Sequence, residues 1–299
     1  MSLRSGFIGL IGRPNAGKST LLNALVGTKV AIMTDKPQTT RNVIRAVRND
    51  EDSQMVFMDT PGIHKPLHKL GSNMVKEALI TLHDIDIVYL LVDATKKFGA
   101  GDEYLLEILK EHKKPVFLIM NKVDLLKKEQ LIELLEFWQG KFEFAEIIPV
   151  SALKEQNLKE LVKTTKEYLP DTVLYYPVDQ VTDNTEQFMI SEIIREKIIQ
   201  RTEEEIPHSI AVIIEDIKGK KESLVINAMI LVERDSQKGI IIGKNGNMIK
   251  TIGKEAREEL ELLLGKRIFL ELFVRVEKNW RNRERPLKEL GYSLSGKYE

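Results

Sequence analysis

Short apolar runs recur through the first half of the chain, each closed by a glycine or a polar residue. Residues 6–11 form the first and end at Gly12, so they read as a strand. Residues 18–26 then place Leu21, Leu22 and Leu25 at helical spacing. Residues 43–47 and 54–58 read as the next two strands. Residues 85–92 are continuously apolar, as in a strand buried on both faces, and residues 116–120 and 146–150 are similar. Helical stretches lie between them at about 101–111, 128–139 and 157–168. Such alternation implies a mostly parallel sheet with helices on both faces. Ligands of such sheets sit at the carboxyl ends of the strands.

The pattern changes near residue 170. A stretch with prolines, tyrosines and turn formers reads as a linker over 171–185, dividing a first domain (1–170) from a second (186–299). Residues 186–204 are helical, with Phe188, Ile190, Ile193, Ile194 and Ile198 apolar. Residues 209–217 and 223–232 read as strands joined by a hairpin at Lys218, Gly219, Lys220 and Lys221. A short helix over 237–242, a helix over 247–264 and a strand over 268–276 complete an α-β-β-α-α-β order.

Composition narrows the chemistry. A length of 299 residues favours two domains, and a hydrophobic fraction of 42% is ordinary for a globular protein. The absence of cysteine excludes disulfides, zinc-thiolate sites and thiol nucleophiles. The first apolar run is a strand with a glycine-rich loop behind it, so no signal peptide is expected. No apolar stretch reaches the roughly 18 residues of a membrane span. The net charge of zero hides an asymmetry. Residues 238–288 hold 13 Lys and Arg against 7 Glu and no Asp. That surplus reads either as a solvated face or as the footprint of an anionic partner.

Five short motifs stand at the ends of the first-domain strands. The first is Gly12, Arg13, Pro14, Asn15, Ala16, Gly17, Lys18, Ser19, followed by Thr20. Its glycines let backbone amides close around phosphate oxygens, Lys18 reaches the β- and γ-phosphates, and the Ser19 hydroxyl suits Mg²⁺. Thr39 and Thr40 come next, with Thr40 the first candidate to close over the metal and Thr39 the second. Asp59, Thr60, Pro61 and Gly62 follow. Asp59 is placed to hold Mg²⁺, and the amide of Gly62 to meet the γ-phosphate. Asn121, Lys122, Val123 and Asp124 select the base. A carboxylate at Asp124 accepts two hydrogen bonds from guanine, and adenine offers no matching donor pair. Ser151, Ala152 and Leu153 complete the set, with the Ala152 amide directed at guanine O6.

These motifs resemble the GTPase domain of the translation-factor-related class, and the Pro14-Asn15 pair with the Asp59–Gly62 box resembles its ribosome-assembly branch. The resemblance implies an α/β P-loop fold binding GTP or GDP with Mg²⁺, and catalytic roles for Asn15, Lys18, Thr40, Asp59 and Gly62. It also implies a potassium ion held beside the phosphates by Asn15. Ile63 stands where Ras-like enzymes carry a glutamine that orients the attacking water, which predicts slow intrinsic hydrolysis.

In the second domain Gly243, Lys244, Asn245 and Gly246 join two helices, within a run that includes Ile240, Ile241, Ile242, Ile249 and Lys250. Two glycines allow backbone to meet phosphate, Lys244 supplies charge, and the isoleucines either line a groove for bases or belong to the core. The α-β-β-α-α-β order with this loop resembles a type II KH domain, an α+β fold that clamps single-stranded RNA. Arg281 and Arg283 are further expected RNA contacts. Trp280 either stacks on a base or packs the domain edge.

A GTPase domain followed by one such KH domain is the plan of the Era family. The resemblance implies binding to the 3′ end of 16S rRNA, a role in 30S subunit maturation, and a cytoplasmic monomer with peripheral contact to the inner membrane. It further implies that GTP orders residues 32–42 and those after Gly62, and so opens the RNA groove. Rivals are a tRNA-modifying GTPase, whose extra N-terminal domain and C-terminal cysteine do not appear here, and a tandem GTPase, which would need a second motif set. In a different class stands a binding module that uses hydrolysis only as a timer.

Overall fold

The computed structural model describes residues 3–63, 66–220 and 222–293. These fall into two compact units, one within 1–31, 40–66 and 74–183, the other within 32–39, 67–73 and 184–299. Two short segments from the first half of the chain thus belong with the second unit. Among the described residues no helix is long and apolar enough to cross a membrane.

From the N-terminus run β1 (Arg4–Gly12), α1 (Lys18–Val26), β2 (Ile44–Asn49), β3 (Ser53–Asp59), α2 (Lys69–Thr81), β4 (Ile87–Asp93), α3 (Ala100–Leu109), β5 (Val116–Asn121), α4 (Lys128–Gln139), β6 (Glu146–Pro149) and α5 (Leu158–Tyr168). The strands form one sheet in the order β2-β3-β1-β4-β5-β6. Every pair is parallel except β2 with β3. Only residues 50–52 join that pair, too few for the crossover a parallel partner requires. β4 starts two residues later than its apolar run suggests, and Ile85 is core outside the strand. On one face, Val88, Leu90, Leu105, Leu109 and Trp138 share a core. The parallel strands β3, β1, β4, β5 and β6 lie side by side, and the chain after β1, β3, β5 and β6 carries four of the five motifs to one edge.

The second unit contains α6 (Glu186–Arg201), α7 (Ile206–Ser209), β7 (Ala211–Lys220), β8 (Ser223–Val232), α8 (Asp235–Ile242), α9 (Asn247–Leu264), β9 (Arg267–Val276) and α10 (Glu284–Glu289). Its three-stranded sheet runs β7-β8-β9, with β7 antiparallel and β9 parallel to β8. The α8-α9 pair supplies the crossover that the parallel step needs. Thr185 caps α6 by accepting a hydrogen bond from the Phe188 amide at 3.2 Å. The expected order is present, with the one-turn α7 and the terminal α10 added. Lys221 of the expected hairpin, and residues 294–299, lie outside the described residues.

Isoleucines from α6, β8 and α9 make the core of this unit. Trp280 is wholly buried, and its Nε1–H donates to the Ser209 carbonyl at 2.8 Å. It therefore packs the domain edge, and base stacking by it is ruled out in this conformation. Trp280→Ala removes both a large buried ring and that hydrogen bond. Unfolding of the full chain in urea, followed by circular dichroism, should show a loss of about 3–5 kcal/mol. A loss under about 1 kcal/mol would contradict the packing role.

Candidate nucleotide site and nucleic-acid interface

The loop between β1 and α1 carries the first motif. Gly17 has φ 99°, and a Cβ there would collide with the Asn121 side-chain nitrogen. Only glycine fits a left-handed position under such a neighbour. Asn15 also has positive φ, at 64°. Arg13 donates to Asp102 Oδ2 at 2.9 Å, fastening the loop to the start of α3. Pro14 lies against Gly62, within reach of the Cβ that glycine lacks. The first turn of α1 begins at Lys18, with Thr20 half-buried in it.

Three oxygen-bearing side chains meet beside this loop. Ser19 Oγ donates to Asp59 Oδ2 at 2.6 Å, and the Ser19 and Thr40 hydroxyls lie 2.9 Å apart. Thr40 Oγ1 also donates to Asp59 Oδ2 at 3.3 Å. Asp59 is 0% exposed, and its Oδ1 has no hydrogen-bond partner. Burial pushes the Asp59 carboxyl up, against the charge of Lys18 and the bonds from Ser19 and Thr40. Burial pushes the Lys18 ammonium down, opposed by Asp59. A buried carboxylate with one orphaned oxygen, its other oxygen bonded to two hydroxyls, is a hard-oxygen donor set of the kind Mg²⁺ takes. These residues fit the ion. Thr39 does not join them, because its hydroxyl is taken up with Thr34 Oγ1 at 2.6 Å and the Lys36 carbonyl at 2.7 Å.

The rest of the Asp59 box is buried. Thr60 donates from its amide and from its hydroxyl to the Leu10 carbonyl, so it locks β3 to β1. Pro61 and Gly62 are buried, and Ile63 is in the core. Residues 64 and 65, in the stretch expected to form the second switch, lie outside the described residues.

Asn121 ties the loops together. Its Nδ2 donates to the Ala16 carbonyl at 2.9 Å, and its Oδ1 accepts from the Ala152 amide at 3.0 Å. The Ala152 amide, expected to address guanine O6, is here directed at the Asn121 side chain. A buried carboxamide needs both ends satisfied, and that amide satisfies its oxygen. Lys122 has φ 67°, and its Nζ donates to the Asn15 carbonyl at 2.9 Å and to Asp93 Oδ2 at 2.6 Å. Burial raises the Asp93 pKa, but hydrogen bonds from Lys122 and Thr95 outweigh it and hold the carboxyl below its usual range. Asp93 and Asp102 escaped the sequence reading. Asp93 could have been found as an acid closing β4. Asp124 is exposed at the site edge, Ser151 is buried, and Leu153 is exposed.

In the second unit Gly243 has φ 72°, and a Cβ there would stand 2.6 Å from Met248 Cβ and 2.9 Å from the Met248 amide nitrogen. The loop is closed by the Gly246 amide donating to the Gly243 carbonyl at 3.1 Å. Lys244 and Asn245 are exposed at its tip. The isoleucines divide. Ile241 is 0% exposed and belongs to the core, a correction to its expected place in the groove; α8 turns that position inward. Ile242 and Ile249 are half-buried and Ile240 is exposed. A groove runs between α9 and β9, lined by Ile249, Lys250, Gly253, Lys254, Arg257 and residues 268–272. Lys250, Lys254 and Arg257 recur at helical spacing on one face of α9, a signal present in the sequence. The tail arginines are not free cations. Arg281 is mostly buried and paired with Glu233 at 2.5 Å, and Arg283 pairs with Glu277 at 2.5 Å.

Both units have counterparts among known proteins. A family model described as a 50S ribosome-binding GTPase matches residues 7–122, and one described as a KH domain matches residues 205–281. Two crystal structures each match at 42% identity and a TM-score of 0.93, covering 98% of this chain and 100% of theirs. One is a tyrosine-to-alanine variant of Aquifex aeolicus Era bound to GDP and AlF4⁻. The other is Era in complex with MgGDPNP and nucleotides 1506–1542 of 16S ribosomal RNA. With that identity over nearly its whole length, and with a P-loop nucleotide unit and a KH unit in one polypeptide, the chain belongs to the Era family of GTPases.

Proposed function

We propose that the protein is a GTP-driven switch that binds the 3′ end of 16S rRNA and serves maturation of the 30S ribosomal subunit. One observation carries this above the others. Ser19, Thr40 and the buried Asp59 converge in a chain that also presents a glycine-closed loop between α8 and α9. The similar Era complex with a 16S fragment supports the choice of RNA. The protein acts as a cytoplasmic monomer, with peripheral contact to the inner membrane as its family implies.

In the nucleotide site the backbone of residues 12–17 and the Lys18 ammonium bind the phosphates. Ser19, Thr40 and Asp59 would hold Mg²⁺, which would supply positive charge to offset that of the phosphates. Asp124 reads guanine from the edge that Asn121 and Lys122 stabilise. Gly62 presents its amide to the γ-phosphate. Ile63 is buried and its side chain has no polar atom, so water positioning falls to other groups and intrinsic turnover is slow. In the second unit the Gly243–Gly246 loop meets the RNA backbone, and the α9-β9 groove takes unstacked bases. Lys244 and Lys250 supply charge, and Arg281 and Arg283 join only by leaving Glu233 and Glu277. A ligand shifts a two-state equilibrium only by its differential affinity, so RNA binds more tightly with GTP than with GDP.

Three measurements test this. Asp59→Asn keeps the shape and removes the buried charge. Because burial raises this carboxyl's pKa, its ionised form is penalised in the empty protein at neutral pH. The variant should therefore match or exceed wild type in urea midpoint, while Mg²⁺-dependent GTP hydrolysis falls roughly 100-fold or more. A fall in stability with activity intact would refute the assignment.

Hydrolysis should run faster in KCl than in NaCl at equal ionic strength, and Asn15→Ala should erase the difference. Equal rates in the two salts for the wild type would dismiss the potassium site.

An oligonucleotide matching the 3′ end of 16S rRNA should bind at least about tenfold more tightly with GDPNP than with GDP at one fixed salt concentration. Gly243→Asp should abolish that binding, since it adds a clashing side chain and a negative charge. Equal affinity in both nucleotide states would end the coupled-switch proposal.

A further inference from the structure

Residues Ile32–Thr39 cluster with the second unit, although the nucleotide-binding fold flanks them in sequence. Two buried charges on α6 hold them there. Arg195 is 0% exposed. Its Nε donates to Glu192 Oε1 at 2.7 Å, its Nη2 donates to Glu192 Oε2 at 2.5 Å, and the same Nη2 donates to the backbone carbonyl of Thr39. Glu196, 1% exposed, accepts a hydrogen bond from the Met33 amide at 2.7 Å. The two ends of the segment are thus gripped by neighbouring residues of one helix.

The chain leaves this unit at the peptide bond between Thr39 and Thr40. That bond is planar, and consecutive Cα atoms across it stand about 3.8 Å apart. A hydrogen bond to the Thr39 carbonyl therefore fixes the peptide plane that carries the Thr40 amide, and with it the starting point of the Thr40 side chain. Thr40 is the residue whose hydroxyl reaches Ser19 and Asp59.

We propose that Arg195 is a positioning residue for the GTP state of the nucleotide site. It touches neither nucleotide nor metal. By holding the Thr39 carbonyl it pre-sets Thr40 for closure over the metal. This rests on taking Ser19, Thr40 and Asp59 as the Mg²⁺ site. A buried ion pair is a poor source of stability, because an apolar pair of similar volume often does as well. What the guanidinium offers is geometry. Its planar fork is locked on one side by Glu192, which leaves an Nη2 hydrogen aimed at one carbonyl. Lysine has no such fork. GDP lacks the γ-phosphate that orders this switch segment, so GDP binding does not draw on Thr40.

The test is a Mg²⁺ titration of fluorescent GDPNP and fluorescent GDP on the full-length chain. It compares wild type, Arg195→Met, Arg195→Lys, and the double variant Glu192→Gln with Arg195→Met, which leaves no unpaired buried carboxylate. Removing one hydrogen bond from a charged donor should weaken GDPNP binding about tenfold and raise the Mg²⁺ midpoint by a similar factor, with GDP affinity held within about twofold. Arg195→Lys should recover part of the loss. If GDPNP affinity and the Mg²⁺ midpoint are unchanged in the folded double variant, the proposal is overturned. Equal losses for GDP and GDPNP also overturn it, since they mark a merely structural role. If the wild type itself binds GDPNP without any dependence on Mg²⁺, the metal-site assignment fails first, and that failure is visible before any variant is made.

Discussion

A carboxylate sealed from water governs the nucleotide unit. Asp59 is pushed toward its neutral form by burial, and one of its oxygens has no partner. An ionised group in that position is tolerated only beside positive charge. Lys18 supplies part of it and is itself destabilised as a cation by the same burial. Anionic phosphate beside Lys18 and a divalent cation beside Asp59 would each offset one of these charges. The sheet enforces the arrangement. Leu10 of β1 is in register with Asp59 of β3, and Thr60 pins the next residue to the Leu10 carbonyl. β1 then ends at Gly12, so the phosphate loop begins two residues beyond the one in register with Asp59.

Placement of the remaining groups follows from adjacency at one sheet edge. β4 pairs with both β1 and β5, and β5 with β6, so Asp93, Asn121 and the loop after β6 emerge as neighbours. Asn121 converts that proximity into fixed geometry by bonding the phosphate loop on one side and Ala152 on the other. Lys122 repeats the device between Asn15 and Asp93. Backbone amides can pre-organise around an anion only if their loops do not have to be ordered when it arrives, and these side-chain bonds do the ordering beforehand.

Much of this was legible in the residues. Strands buried on both faces announce themselves as apolar runs, which is why β1, β4 and β5 and the motifs behind them could be placed. The antiparallel β2-β3 pair was not, because its direction is set by a three-residue connection and leaves no mark on hydrophobicity. Helix α2 was passed over because Gly71, Ser72 and Asn73, all poor helix formers, occupy its first turns. Ile241 and Ile242 are chemically alike, and only the turn of α8 decides which one is core. Trp280 was open in the sequence for the same reason. The buried charges of α6 were invisible. In the sequence Glu192, Arg195 and Glu196 are only charged positions among the isoleucines of a helix, and periodicity cannot show that a distant segment covers them.

That covered face matters because of what else α6 supports. Ile190, Ile193, Ile194 and Ile198 share one core with Ile241 of α8 and with Ile252 and Ala256 of α9, the two helices that frame the Gly243–Gly246 loop. Lys197 pairs with Glu259 and Arg201 with Glu255, fastening α6 to α9 along their length. The helix that holds the Thr39 carbonyl is therefore packed on α9 and shares a core with α8, the pair that frames the Gly243–Gly246 loop. A close-packed interior resists graded deformation, so a shift of α8 or α9 is passed to α6 or is paid for as strain within that core. Coupling of this kind is reciprocal in free energy. Whatever factor GTP contributes to RNA affinity, RNA must return to GTP affinity.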